Sequence, residues 1–383
     1  MKTEQVLWTP AGGWSAPFPT TPLAAGRSFA LLFGDRASLT AARLAEIAAA
    51  LPHVLLASCS TAGEIAGPTV RGGGLVLTIT TFDAARVVGV EIRLPDGADS
   101  RAAGRQLARS LPTELDVGPL RHVLVLSDGL AINGSALVAG LAESLPPGVV
   151  ITGGLAGDGA DFRETWVGLG DHAAPRALVA LGLFGDGLRV GFGSLGGWDP
   201  FGPERRVDRA EGNVLYTLDG ERALDLYTRY LGEHAAQLPG SALLFPLAVT
   251  APGATAPVTR TVLAVDAAAG TMTFAGDVPT GSKVRLMKAN LDRLVDGAEG
   301  AALGAAAVGG EGASLAVLIS CVGRKLVLGQ RVEEEVEAVA GVLGRTATLA
   351  GFYSYGELAP RGPGVSCELH NQTMTVTTFA EAN

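Results

Sequence analysis

The sequence predicts a mixed α/β (α+β) protein, with repeated strand–helix–strand–turn–strand units forming mixed sheets flanked by helices in two domains. Three observations carry this. Leu56-Ala57-Ser58-Cys59-Ser60-Thr61-Ala62-Gly63-Glu64-Ile65 and Leu349-Ala350-Gly351-Phe352-Tyr353-Ser354-Tyr355-Gly356-Glu357-Leu358 are versions of one strand-to-turn segment, and self-similarity marks duplicated architecture. Short apolar runs alternate with helix-period stretches, the pattern of strands and crossover helices. Gly is abundant at 53 residues while aromatics make up only 5%, which suits a turn-rich chain.

Residues 1–26 contain Pro10, Pro17, Pro19 and Pro22 and read as an extended N-terminal arm. Phe29–Phe33 is then a strand. Leu39–Leu51 is a helix with Ser38 at its N-cap and Leu44, Ile47, Ala48 and Leu51 on one face. Val54–Ala57 is a strand leading into the Gly-Glu turn. Leu75–Thr80 and Val87–Ile92 read as an antiparallel pair.

The unit recurs as the strand Val123–Leu126, helix Ser135–Leu145, strand Val149–Thr152 and turn Gly153-Gly154-Leu155-Ala156-Gly157-Asp158. Strands follow near Thr165–Leu169, Ala177–Phe184 and Leu188–Ser194. Aligned without a gap, Gly157-Asp158 falls on Gly63-Glu64. A third copy comprises Leu315–Ser320, the helix Val332–Leu343, Thr348–Ala350, Gly356-Glu357 and Thr373–Phe379. On its helix Val332, Val336, Val339 and Leu343 face inward, with Glu333, Glu334, Glu335 and Glu337 largely outward. Between copies two and three, Trp198–Val207 reads as a Gly/Pro-rich crossing loop. Ala223–Leu231 and Ala289 to about Gly304 read as helices, and Leu243–Thr250, Arg260–Val265, Thr271–Phe274 and Lys283–Met287 as strands. The domain boundary is expected near Gly220, giving domains 27–220 and 221–383.

The 383 residues suffice for two domains and a large core. Charged residues reach only 17% and the net charge is −9, a balance that argues against nucleic-acid binding, which wants a basic face. Cys59, Cys321 and Cys367 have no CxxC spacing and are odd in number, as for reduced thiols in a cytoplasmic protein. The start lacks an apolar signal core, and no run reaches the ~18 apolar residues of a membrane helix. Membrane insertion is not expected.

A Gly before an acid, directly after a strand, frees backbone amides and brings a carboxylate to the strand's carboxyl end, where open α/β sheets bind ligands. Glu64, Asp158 and Glu357 are thus equivalent candidates. They either line a shared site or cap loops and pair with Arg. Arg324, in Cys321-Val322-Gly323-Arg324-Lys325, is suited to a bidentate pair with a ligand's carboxylate or with Glu357. His370-Asn371-Gln372-Thr373 is either turn chemistry or a ligand contact. The histidines show no HxH or HExxH spacing, which disfavours zinc, whereas an axial haem ligand needs no motif. Cys59 as a nucleophile requires a base and an oxyanion donor; the simpler expectation is a small buried thiol. Gly153–Gly157 lacks the Lys-Ser/Thr of a P-loop and does not open a helix.

These residues resemble the FIST family, N- and C-terminal domains together. The resemblance rests on Cys59-Ser60-Thr61-Ala62-Gly63-Glu64-Ile65, Gly153-Gly154-Leu155-Ala156-Gly157-Asp158 and Gly197-Trp198. Phe245-Pro246-Leu247, Cys321-Val322-Gly323-Arg324, Gly351–Glu357 and His370–Thr375 continue it, over roughly residues 28–380. It implies a sensory module for a small ligand, amino acids being a class proposed for the family, and some members resemble haem-dependent nitric-oxide sensors. No room remains for a fused kinase, cyclic-dinucleotide enzyme or chemoreceptor coil, so a downstream partner in trans is expected. The expected ligand residues are Ser60, Thr61, Glu64, Asp158, Arg324, Tyr353, Tyr355, Glu357 and Asn371, with two acids for an ammonium group and Arg324 for a carboxylate. No cofactor is expected; the alternatives are haem on His370, or a hydrolase or transferase using Cys59.

Overall fold

The computed structural model describes residues 1–19 and 23–382; Pro22 lies outside them. Three units build equivalent sheets. In the first, Ser28–Gly34 and Leu55–Ser60 run parallel, joined by the helix Ala41–Ala50. Leu75–Thr81 returns antiparallel beside Ser28–Gly34, and Lys2–Thr9 pairs outside it. The second unit repeats this order with Gly118–Ser127, the helix Gly134–Ser144, Val150–Leu155, the return strand Ala177–Phe184 and the outer strand Arg86–Arg93. The third uses Leu315–Cys321, the helices Val322–Leu328 and Val332–Leu343, Thr348–Ser354, Met374–Glu381 and Leu188–Leu195.

The strand after each turn leaves its own sheet. Glu64–Ala66 of the first unit pairs with Thr348–Ser354 of the third. Gly356–Pro360 of the third pairs with Val150–Leu155 of the second. Val167–Leu169 of the second pairs with Leu55–Ser60 of the first. The exchange is therefore cyclic, and backbone bonds between the turns close it. Ala62 N donates to Tyr353 O at 2.8 Å, Tyr355 N to Leu155 O at 3.1 Å, and Gly157 N to Ser60 O at 3.0 Å.

Side-chain alternation explains how the sheets pack. Phe29, Leu31 and Phe33 point inward, into a core shared with Leu124, Leu126, Val317, Ile319 and Phe352 of the other two sheets. Ala30 and Leu32 point outward onto Leu44 and Ile47 of the covering helix. The strands are buried on both faces, so they read as unbroken apolar runs.

Between Leu188–Leu195 and the helix Leu291–Gly309 that returns to the third unit, the chain builds a separate body. Its strands follow the order Val258–Arg260, Leu247–Thr250, Lys283–Lys288, Asp199–Glu211, Val214–Leu218, Thr271–Phe274, Val262–Asp266. The sheet packs with the helix Ala223–Leu231 around Val207, Leu215, Tyr227, Met272 and Phe274.

Several expectations change. Lys2–Thr9, within the expected extended arm, is a sheet strand in register with Leu75–Thr81, its row of backbone groups needing that partner. Leu75–Thr81 and Arg86–Arg93 do not pair; the short link between them crosses from the first sheet to the second. Trp198–Val207 is mostly strand, its Gly202-Pro203 falling where pairing with Lys283–Lys288 is irregular. Thr40, not Ser38, caps the first helix, accepting from Arg43 N; the backbone amide of Ser38 instead donates to Asp35.

Candidate functional site

The three turns meet through backbone bonds, and each acid is engaged locally. Glu64 faces Phe352 across its seam and Glu357 faces Gly154. Each accepts from a hydroxyl three residues earlier, Thr61 at 2.6 Å and Ser354 at 2.8 Å. In the remaining seam the residue facing Cys59 is Val167, so the gapless alignment of Asp158 with Glu64 is corrected. Residues 158–166 form a loop inserted ahead of the exchanged strand. Asp158 holds that loop together, accepting from the amides of Phe162, Arg163 and Glu164 at 2.9, 2.8 and 2.9 Å and from the Tyr355 hydroxyl.

Each acid has its own electrostatics. Burial pushes Glu64 up to about 7, against its bond from Thr61; nearby Asp35 adds to the rise and Lys325 opposes it. Burial pushes Glu357 up to about 8, against bonds from Ser354 and Thr373. Asp158 also feels burial, yet the Tyr355 hydroxyl and the loop amides outweigh it and hold the carboxyl below its ordinary range. Lys325 donates to Ala62 O at 2.6 Å and lies 5.5 Å from the Tyr353 ring centroid.

Arg324 does not pair with Glu357 and offers nothing to a ligand. Its Nε and Nη2 donate to Glu335 at 2.9 and 2.7 Å, Nη2 also to Leu294 O at 2.7 Å, and Nη1 to Gly196 O and to Gln372 O at 3.5 Å. All five N–H groups are engaged. Glu335, expected outward, is fully buried because it lies on the same helix face as Val339, toward Arg324. It also accepts from Ser320 at 3.0 Å and from Tyr353 at 2.7 Å, which places Tyr353 in this structural network.

Ser60 accepts from Trp166 N at 2.9 Å, inside the seam between the first two units. Asn371 is wholly buried with neither side-chain polar atom partnered. His370 is buried, and its Nε2 is engaged with Ala359 O at 2.9 Å. Cys59 is fully buried; burial, reinforced by Glu64, pushes its thiol well above the ordinary value, the opposite of an activated nucleophile. Among the described residues no three His, Cys, Asp or Glu side chains gather as metal ligands.

The accessible chemistry lies where the separate body meets the second and third units. The Asn133 side chain crosses this cleft, Nδ2 donating to Asp277 Oδ1 at 2.8 Å. On one side is a cavity of about 280 Å³ lined by Val138, Ala139, Val249, Val258, Arg260 and Asp277, with the Arg361–Glu368 pair at its rim. On the other is a cavity of about 230 Å³ containing Phe162 and Tyr355.

Arg260 is the unusual residue. It is 6% exposed, and no carboxylate of the described residues lies within 4.0 Å of its guanidinium. Nε donates to Asp277 O at 3.0 Å, and Nη1 to Leu369 O at 3.0 Å and Thr259 O at 3.3 Å; Nη2 carries none of these bonds. Burial pulls its value down to about 10, so it remains charged at neutral pH. Sequence reasoning missed it; the available signal is that Arg260 shares the parity of Val258 on the short strand Val258–Arg260.

Known proteins place the chain. The FIST N domain matches residues 28–221 and the FIST C domain residues 223–360. The chain belongs to the FIST family, whose domains are sensory domains of signal transduction. No curated protein matches it in sequence. Among solved structures, it is similar to a cyanuric acid hydrolase from A. caulinodans at 10% identity and a TM-score of 0.36, over 100% of this chain and 99% of that one. No described helix is long and apolar enough to cross a membrane.

Proposed function

We propose that this chain is a sensory module that binds an amino-acid-like ligand in the Arg260 cavity and signals to a separate partner protein. The carrying observation is the buried, unpaired Arg260 guanidinium. Burial disfavours the charge, Asp277 and Glu368 offset part of that, and a ligand carboxylate on Nη2 would offset more while gaining a charge-assisted bond. Asp277 lines the same cavity, and its Oδ2 is not the atom engaged by Asn133; it supplies a partner for an ammonium group. Val138, Ala139, Val249 and Val258 leave room for a short aliphatic side chain. The zwitterion expected from the sequence is thus retained, with Arg260 and Asp277 in place of Arg324 and the seam acids. The reading is binding rather than catalysis; Cys59, the nucleophile weighed from the sequence, is fully buried.

Arg260 and Asp277 belong to the separate body, whereas Val138, Glu368 and Leu369 belong to the three-unit core. A ligand held between them stiffens that junction, and a partner touching both bodies reads the change. Thermal shift across the amino acids tests the reading. At 100 times its dissociation constant a ligand stabilises by roughly 2.7 kcal/mol. Arg260→Lys, which keeps the charge but loses the planar fork, should abolish the shift; absence of any shift in the natural protein removes the ligand class.

A further inference from the structure

The second cavity, across the Asn133–Asp277 bond, has the opposite character. Among its lining residues, Leu130, Ile132, Leu155, Phe162, Tyr355 and Phe274 are apolar or aromatic, and none of the lining residues is ionised. Phe162 and Tyr355 stack with ring centroids 4.4 Å apart and an interplanar angle of 14°. Phe162 is nevertheless 41% exposed, as is Leu130, and Leu263 on the facing body is 45% exposed. Three large apolar groups therefore surround one opening.

The aromatic pair is held in place rather than simply left at the surface. Phe162 has φ of +53°, a conformation that costs a bulky residue of order 1–3 kcal/mol and persists only where surroundings impose it. Asp158 imposes it, binding the Phe162 amide and the two that follow. The Tyr355 hydroxyl bonds the same carboxylate, so one acid fixes both rings. On the facing wall, Asn213 donates through Nδ2 to Phe274 O at 2.7 Å, which orients the amide and leaves Oδ1 as an acceptor.

We infer that this cavity is a second binding site, for a small neutral aromatic molecule that stacks against Phe162 and donates one N–H or O–H to Asn213. The volume of about 230 Å³ suits one ring or a fused pair. A charged ligand has no counter-charge in the lining and is disfavoured by desolvation. A stacked ring gains from offset or edge contact beyond its buried area. The site is distinct from the Arg260 cavity and stands whether or not that cavity takes an amino acid.

The test is titration of the full chain with indole, observed by saturation-transfer nuclear magnetic resonance and calorimetry, with indole-3-acetate as the charged control. Indole should bind, and indole-3-acetate at least tenfold more weakly. Phe162→Gly removes the ring while relieving the positive φ, so the variant should fold at least as well and bind indole at least tenfold more weakly. Arg260→Lys should bind indole as the natural protein does. No indole binding to the natural protein, equal binding by Phe162→Gly, or loss in Arg260→Lys with retention in Phe162→Gly each overturns the inference.

Discussion

Glu335→Gln is the most informative single change in the core. Glu335 accepts four hydrogen bonds, two from Arg324 and one each from Ser320 and Tyr353, and both members of the ion pair are fully buried. The amide keeps the shape but leaves Arg324 charged and uncompensated, and its NH2 faces donors. Removing one partner of such a pair costs about 3–5 kcal/mol. At roughly 2 °C per kcal/mol, the low end for chains larger than ~150–250 residues, melting falls by about 6–10 °C. Arg324→Met should cost a similar amount, because Glu335 then stands alone. The double variant Arg324→Met/Glu335→Leu should cost much less than the sum, with a coupling of at least ~2 kcal/mol. Scanning calorimetry and urea unfolding of the four proteins give the cycle. Single variants costing under ~1 kcal/mol, or strictly additive losses, would refute the claim that Arg324 is a structural residue with a dedicated carboxylate.

Other consequences are open to direct measurement. Burial raises Glu357 from an ordinary 4.5 to about 8, so the folded state keeps a proton that the unfolded chain releases. The associated stability is fully present below about pH 4.5 and is lost as pH rises through about 8; Glu357→Gln should flatten that slope in urea unfolding between pH 5 and 8, and an unchanged slope assigns it elsewhere. Cys59 should react with iodoacetamide slowly in native protein at neutral pH and rapidly once unfolded; fast native alkylation would restore the nucleophile reading. Asp158→Ala strips three loop amides and the Tyr355 hydroxyl of their acceptor, so hydrogen exchange at residues 162–164 should speed up, at a stability cost of about 1–3 kcal/mol. Unchanged protection there would show that the loop is held by other contacts.

Much of the architecture is legible in the chain. The parallel pairs show as apolar runs because both faces of each strand are buried, and the covering helices show by their period. The cyclic exchange is not legible: a segment as short as Glu64–Ala66 carries too little pattern to say which sheet it joins. That ambiguity also misplaced Asp158. A gapless alignment treats residues 158–166 as turn and strand, whereas the carboxylate folds back onto their amides. Arg324 was recognisable as a bidentate donor, but its partner was not, since Glu335 sits among three other acids and only packing singles it out. Arg260 was hidden at the head of an expected strand, Arg260–Val265, which the structure splits into Val258–Arg260 and Val262–Asp266. The candidate site lies between two bodies, and sequence pattern describes each body better than the junction.

The central claim is that Arg260 and Asp277 together hold a zwitterion. Calorimetric titration of the best-binding amino acid, its carboxamide and its deaminated acid tests it without altering the protein. Each analogue lacks one charge, and a charge-assisted bond is worth about 1.5–3 kcal/mol, so both should bind roughly ten- to a hundredfold more weakly. A carboxamide that binds as tightly as the amino acid would show that no guanidinium anchors the ligand, and would contradict the account.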